Sequence, residues 1–545
     1  MSSTIPSSDG TARSTLPEWT PERSGAGRHS PWLITPILAI PVFMEVLDTS
    51  IANVSLRHIA GSLAAGSDES TWVITSYLVA NAIIMPVSGW LADVLGRKRF
   101  FVTCVVLFTV ASFLCGTATS LGMLIFYRVL QGLGGGGMVP CAQAIMTDSF
   151  PPARRGLAFS VFGMAVIVSP VLGPPLGGWI TDVYNWPWIF FINIPVGLLS
   201  VLLATAFLAE PPLLVQERQR RWADGIRLDY VGFGLAAIGL ACLEVTLSRG
   251  EQKDWFASPM IRTFACLSGG SLLLMVLWER GRPDPVVDVR LFHGRVFSTS
   301  FVVFFATGLL LYSSTTILPM LLQGIHGYTA FLAGLAMMPG GLAAGVGMVA
   351  VGVLTRFVQL RYLVAAGLVL QMIPLYLMSG FTPDLTFWHA AWARVFQMVA
   401  VGCLFIPIAT LSYEGLPANK TNSATSLINI ARNVGGSFGI SITNTWLAWR
   451  SQYHHSVLAE QISPYNPVAV DTLSGMQSSL QSLGGGEDLA QQQALVAANG
   501  MVNQQAYVMA FNDVFLLCSL ICLGVLLLVF LLPRNEPGHG DVAMH

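Results

Sequence analysis

The sequence predicts an all-α integral membrane protein of fourteen transmembrane helices, built as two six-helix halves with two helices inserted between them. Three observations predict it. The 545 residues are 53% hydrophobic and only 10% charged, with a mean hydropathy of +0.63; a soluble domain carries about 25% charged residues. Fourteen stretches are long and apolar enough for a spanning helix, which needs about 20 such residues. Matching residues recur at one fixed offset along the chain. The formal charge of −1, from 28 basic and 29 acidic residues, offers no basic face, so nucleic-acid binding is excluded.

The elements follow in order. Residues 1–30, rich in Ser, Thr, Gly and Pro, are expected as a disordered cytoplasmic tail with no cleavable signal. The first half, 31–210, holds spans near 32–55, 72–92, 99–119, 121–146, 156–180 and 187–208. Two inserted spans, near 229–248 and 260–279, lie within 211–290. The second half, 291–533, holds spans near 297–322, 330–355, 361–381, 386–412, 422–447 and 506–532. A long outer loop, 448–505, precedes the last span, and 534–545 form a second tail. With both termini placed in the cytoplasm, twenty Lys and Arg residues fall on the inner side and five on the outer, with Arg128, Arg394 and Arg432 inside spans. That asymmetry sets the orientation. The long loop, with repeated Gln and a Gly484-Gly485-Gly486 break, is either a tolerated insertion or a docking surface for a partner. All eight cysteines lie in or beside apolar stretches and serve as small hydrophobes.

The repeat is carried by Arg128-x-x-Gln131 in span 4 and Arg394-x-x-Gln397 in span 12. The same offset pairs Pro151 with Pro417, Ala158 with Ala424, Ser160 with Ser426 and Gly173 with Gly439. Two parallel halves that bind substrate at their interface describe a rocking secondary transporter. No phosphate-binding loop is present, so ATP is not the energy source within this chain.

The candidate chemistry lies in the few polar residues inside spans. A charge at the bilayer centre costs about 2.5–3.5 kcal/mol on insertion scales, against about −0.5 for a Leu. Glu45 and Asp48 lie on one face of span 1, and Arg128 lies in span 4. They read as a proton site with Arg128 as its electrostatic tuner, or as a permanent structural ion pair. The hinge after span 2 contains Asp93, Gly96 and Arg97, a latch that forms in one conformation or a plain solvated turn. Gly173, Pro174, Gly177 and Gly178 in span 5 mark a bend or a close-packing face. Weaker candidates for a substrate path are Asn53, Gln131, Glu244, Arg394, Gln397, Arg432, Asn433 and Asp513. The pair His454–His455 has no further ligand residues nearby, so neither a metal nor a cofactor is expected.

These motifs resemble the major facilitator superfamily, and within it the 14-span drug:proton antiporters of the EmrB/QacA type. The similar elements are Leu47-Asp48-Thr49-Ser50-Ile51-Ala52-Asn53-Val54, the Asp93 hinge, Arg128-x-x-Gln131-Gly132, the Gly173–Gly178 run and Trp186-Pro187-Trp188-Ile189-Phe190-Phe191-Ile192-Asn193-Ile194-Pro195. The resemblance covers residues 32 to about 532 and implies a major facilitator fold. It further implies proton-driven multidrug efflux of lipophilic compounds from a bacterial inner membrane, with a periplasmic membrane fusion protein and an outer-membrane channel as partners. Arg57, Val94 and Glu45 depart from the pattern; the last position is more usually uncharged, often Gln. The alternatives are a dedicated exporter of one metabolite, such as a siderophore or peptide, and a non-transporting membrane receptor or scaffold.

Overall fold

The computed structural model describes residues 30–530 except 211, 224–228, 283–284, 356, 383–384, 413–420 and 483–485. The expected tails, Pro417 and the Gly484–Gly485 break lie outside the described residues, save Ser30. Each of the fourteen expected spans falls on one helix. They are α1 (Pro31–Ser62), α2 (Trp72–Leu95), α3 (Arg97–Gly116), α4 (Leu121–Ser149), α5 (Pro152–Val183), α6 (Asn193–Phe207), α7 (Tyr230–Arg249) and α8 (Pro259–Glu279). The second half continues with α9 (Arg295–Gly324), α10 (Ala330–Leu354), α11 (Leu360–Met378), α12 (Phe387–Ser412), α13 (Thr421–Glu460) and α14 (Glu487–Val529).

Among the described residues, eleven helices are long and apolar enough to cross a membrane, and the bent α5 makes twelve. The two that fall short, α4 and α13, are as long as the rest. Arg128, Gln131 and a run of glycines dilute α4, and a series of Thr, Ser and Asn residues dilutes α13. Both of these spans carry buried polar groups, Arg128 and Gln131 in α4 and Asn429 and Arg432 in α13.

The repeat in sequence is a repeat in packing. In the first half α1 packs on α5, α2 on α4, α3 on α4 and α6. In the second half α9 packs on α13, α10 on α12, α11 on α12 and α14. The halves meet through α5 on α10 and through α2 on α13. The inserted pair breaks the symmetry: α7 leans on α8 and covers the α2–α13 seam alone. Hydrogen bonds Ser88–Ser426 and Asn429–Gln143 close that seam near the end that bears the Gly96 hinge.

One sequence expectation needs correction. The segment 448–505 is not an irregular loop. It comprises the end of α13, a short helix Pro467–Ser482 and the first turns of α14, a helical hairpin continuing two spans. Its polarity disguised residues such as Ala, Gln and Leu, which are strong helix formers. The sixth expected span is one apolar stretch, Trp188–Phe207, whose first turn Trp188–Phe191 joins α6 through Ile192, itself in helical geometry.

Candidate functional site

Glycines in α4 draw its neighbours inward. A Cβ at Gly132 would sit 2.4 Å from the Tyr77 carbonyl, and one at Gly134 would sit 2.7 Å from the Phe108 backbone nitrogen. Helices without side chains at the contact approach closely, and this brings Tyr77, Asn81 and Ser112 within side-chain reach of α1.

At the centre is Asp48, 2% exposed, beside Arg128, which is fully buried. Arg128 Nη1 donates to Asp48 Oδ2 at 2.5 Å and to Gln131 Oε1 at 2.7 Å, while its Nε donates to the Val73 carbonyl at 3.0 Å. Asp48 Oδ1 accepts from Gln131 Nε2 at 2.9 Å and from Asn193 Nδ2 at 2.7 Å. Ser112 Oγ in turn accepts from both amides. The guanidinium lies over the Tyr77 ring, 4.4 Å from its centroid. Asn193, in the first turn of α6, aims its amide across the bundle at Asp48 of α1.

Glu45, 7% exposed, is held differently. Its Oε1 accepts from Tyr77 Oη at 3.0 Å and Asn81 Nδ2 at 3.2 Å, and its Oε2 has no partner. The two carboxylates of one helix face therefore have distinct environments. Asp48 has a matched countercharge and three donors; Glu45 has two neutral donors on one oxygen. A buried carboxylate lacking a direct cation is the one more easily held neutral.

The hinge closes on partners absent from the sequence reading. Gly96 has φ 91°, which favours glycine. The helix Pro212–Ala223 roofs it: Arg218 donates to Glu210 at 2.6 Å and to the Leu95 carbonyl at 3.2 Å, and Trp222 Nε1 donates to the Val94 carbonyl at 3.0 Å. Arg97 pairs with Asp148 at the end of α4 and donates to the Ala144 carbonyl. Asp93 is half-buried.

In α5 the chain bends by 43° between Pro170 and Leu172. Pro174 has no N–H for the Pro170 carbonyl four residues back, and Ser50 Oγ donates to that carbonyl at 3.1 Å instead. A Cβ at Gly173 would meet Ser50 Oγ at 2.1 Å, and one at Gly177 would meet Ile51. The motif both bends α5 and seats it on α1; Pro174 is half-buried and Gly178 buried.

The weaker candidates divide. Gln131 and Gln397 belong to arginine networks. Arg394 donates to Ser314 Oγ at 3.0 Å, Gln397 Oε1 at 2.7 Å and Thr315 Oγ1 at 2.6 Å, and among the described residues no carboxylate pairs with it. Arg432 is buried over the Phe405 ring at 5.9 Å, and Asn433 reaches Met85 Sδ at 3.8 Å across the seam. Glu244 accepts from Ser437 Oγ at 2.9 Å. Asn53 is exposed. Asp513 stands apart from the other polar residues, tying α13 to α14 through Arg450 at 2.5 Å and His454 at 2.7 Å. Among the described residues no cluster could hold a metal ion. Tyr77, Asn81, Ser112, Asn193 and Asp148 escaped the sequence reading as site residues, since each is a lone polar residue in or beside an apolar run.

Comparison with known proteins agrees. Residues 38–440 match the Major Facilitator Superfamily. The multidrug export protein EmrB of Escherichia coli (strain K12) is 36% identical over 515 residues, 94% of this chain and 98% of that one. EmrB of Haemophilus influenzae is 37% identical over 500 residues, 91% and 95% of the two chains. The fatty acid resistance protein FarB of Neisseria gonorrhoeae is 35% identical over 515 residues, 94% and 97%. Among solved structures, a double Trp XylE mutant superimposes with a TM-score of 0.57 at 13% identity, covering 93% of this chain and 97% of that one. The human organic anion transporter MFSD10 gives 0.54 at 15%, covering 90% and 99%. These structures share the fold. The chain belongs to the major facilitator superfamily, a family of membrane transporters.

Proposed function

We propose that the protein is a proton-coupled multidrug exporter of a bacterial inner membrane, with both termini in the cytoplasm. The observation that carries this reading is the buried Glu45–Asp48–Arg128 cluster, a charged network in one half of a two-half transporter. Lipophilic, drug-like substrates enter between the halves, and proton binding at the α1 carboxylates alternates with substrate binding. Inward proton movement down a membrane potential supplies about 2.3 kcal/mol per charge per 100 mV. Relatives named for multidrug export and fatty acid resistance support an amphiphilic substrate range.

Proteoliposomes with an imposed pH gradient test it. Gradient-driven export of ethidium is expected, with Asp48→Asn slowing it about 100-fold or more, the scale of a lost acid–base group. Full activity in Asp48→Asn removes that residue as the coupling site. The hairpin of α13 and α14 is proposed to meet a periplasmic fusion protein, which passes substrate to an outer-membrane channel. Its apolar residues Tyr465, Val468 and Val496 are 95%, 71% and 72% exposed, a surface that invites a partner. Val468→Asp with Val496→Asp should abolish co-purification of the fusion protein; undiminished capture places the contact elsewhere.

A further inference from the structure

α13 carries a polar residue at every fourth position: Thr425, Asn429, Asn433, Ser437, Ser441 and Thr445. Each step of four advances about 40° around a helix of 3.6 residues per turn, so these six form a ladder that winds around α13 and meets a different neighbour at each level. At the hinge end Asn429 Nδ2 donates to Gln143 Oε1 at 2.7 Å. In the middle Asn433 meets Met85 of α2, one turn from Asn81, the residue that holds Glu45. Next comes Ser437, which donates to Glu244 of the inserted helix α7. Farther on, Thr445 accepts from Trp255 Nε1 at 3.0 Å.

Polar atoms without a protein partner cluster along this line. Glu45 Oε2, Arg432 Nε and Ser441 Oγ are buried and unsatisfied by any side chain or backbone group. Arg432 adjoins Asn433 in α13. Buried polar groups left unpaired by protein are where internal water binds. Glu244 is itself 6% exposed, with a neutral hydroxyl as its hydrogen-bond partner.

We propose that Glu244 is a second proton-carrying residue, linked to Glu45 by the polar ladder of α13, so that the inserted helix α7 takes part in coupling. The inference rests on the proton-coupled reading above. In each transfer the Glu244 carboxyl releases its proton to the Ser437 hydroxyl as that hydroxyl passes its own to water along the ladder. The Glu45 carboxylate takes up one proton at the far end. One O–H bond breaks, one forms, and no electrons change hands. Arg432 keeps its proton throughout. The charged and titratable groups facing Glu45 are Asp48 of α1, Tyr77 of α2, Arg128 of α4 and Arg432 of α13. Among the described residues Glu244 has Ser437 as its hydrogen-bond partner and no ion pair. Arg249 of its own helix stacks on Trp72 at 4.5 Å, and Arg432 of α13 lies over the Phe405 ring.

The test uses the full-length protein in proteoliposomes with an internal pH indicator and ethidium as probe. Glu244→Gln should slow gradient-driven ethidium export about tenfold or more and lower the protons moved per ethidium, with ethidium affinity unchanged. Glu244→Asp should restore part of the flux, which a merely structural role would not require. Ser437→Ala should slow export severalfold. A wild-type rate and proton ratio in Glu244→Gln overturns the proposal. Should that variant fail to fold, Ser437→Ala decides: undiminished proton flux in it overturns the ladder. Failure of the wild-type protein to couple ethidium to protons would sink the parent reading as well; coupling that survives Glu244→Gln sinks this one alone.

Discussion

The two halves present the same motif in opposite electrostatic states. Arg128 and Arg394 each donate to a glutamine three residues on, at 2.7 Å in both cases. Each also reaches back eighty residues to the first helix of its own half. In the first half that residue is Asp48; in the second it is Ser314. One arginine is neutralised by a carboxylate and the other is solvated by hydroxyls. The repeat therefore supplies a scaffold used twice, while the chemistry resides in one copy. A single charged copy is what a defined proton site requires, since two equivalent carboxylates would compete for the same role.

Removing each arginine sharpens that contrast most. Arg128→Met strands the Asp48 carboxylate in the bundle, and losing one partner of a buried pair costs about 3–5 kcal/mol. Arg394→Met leaves only neutral groups unpaired, a loss of about 1–3 kcal/mol. Thermal unfolding of the purified variants reads both; equal losses would break the distinction. The next largest effect comes from making the halves alike. Ser314→Asp offers Arg394 a carboxylate, and a charge-assisted bond there should add about 1.5–3 kcal/mol of stability. It should add no proton to the transport ratio, and a raised ratio would show that the second half can couple.

A smaller difference concerns how each half seats its first helix. Ser50 caps the Pro170 carbonyl that Pro174 cannot reach, whereas α13 has no proline. The corresponding neighbour, Ser313, lies against Gly439 and its hydroxyl has no partner. Ser50→Ala should therefore cost about 1 kcal/mol, and Ser313→Ala close to nothing. Matching shifts in melting temperature would remove the capping role of Ser50.

Much of this was legible in the chain. Apolar runs located all fourteen helices, the fixed offset announced the two halves, and the expense of intramembrane charge singled out Glu45, Asp48 and Arg128. The α13 ladder went unread, because its interval of four is hidden within a run that reads as merely less apolar. The helical hairpin was hidden by reading polarity as looseness. Tyr77, Asn81, Ser112 and Asn193 could not be singled out. Each matters through what it touches, and a neutral polar residue in an apolar run looks the same whether it faces a carboxylate or its own backbone.

The sequence by itself determined which segments enter the bilayer and which charges go with them. Insertion is a sum of transfer energies along the chain, and each residue contributes wherever its partners lie. Only the tertiary structure decided that Asp48 is matched and Glu45 is not, that Arg394 faces hydroxyls, and that α7 reaches Ser437. Those outcomes turn on distances of a few ångströms between helices far apart in sequence, set by glycine contacts such as Gly132 against Tyr77. Hydrogen bonds and ion pairs fall off over that same range, so pairing is a property of the packed bundle.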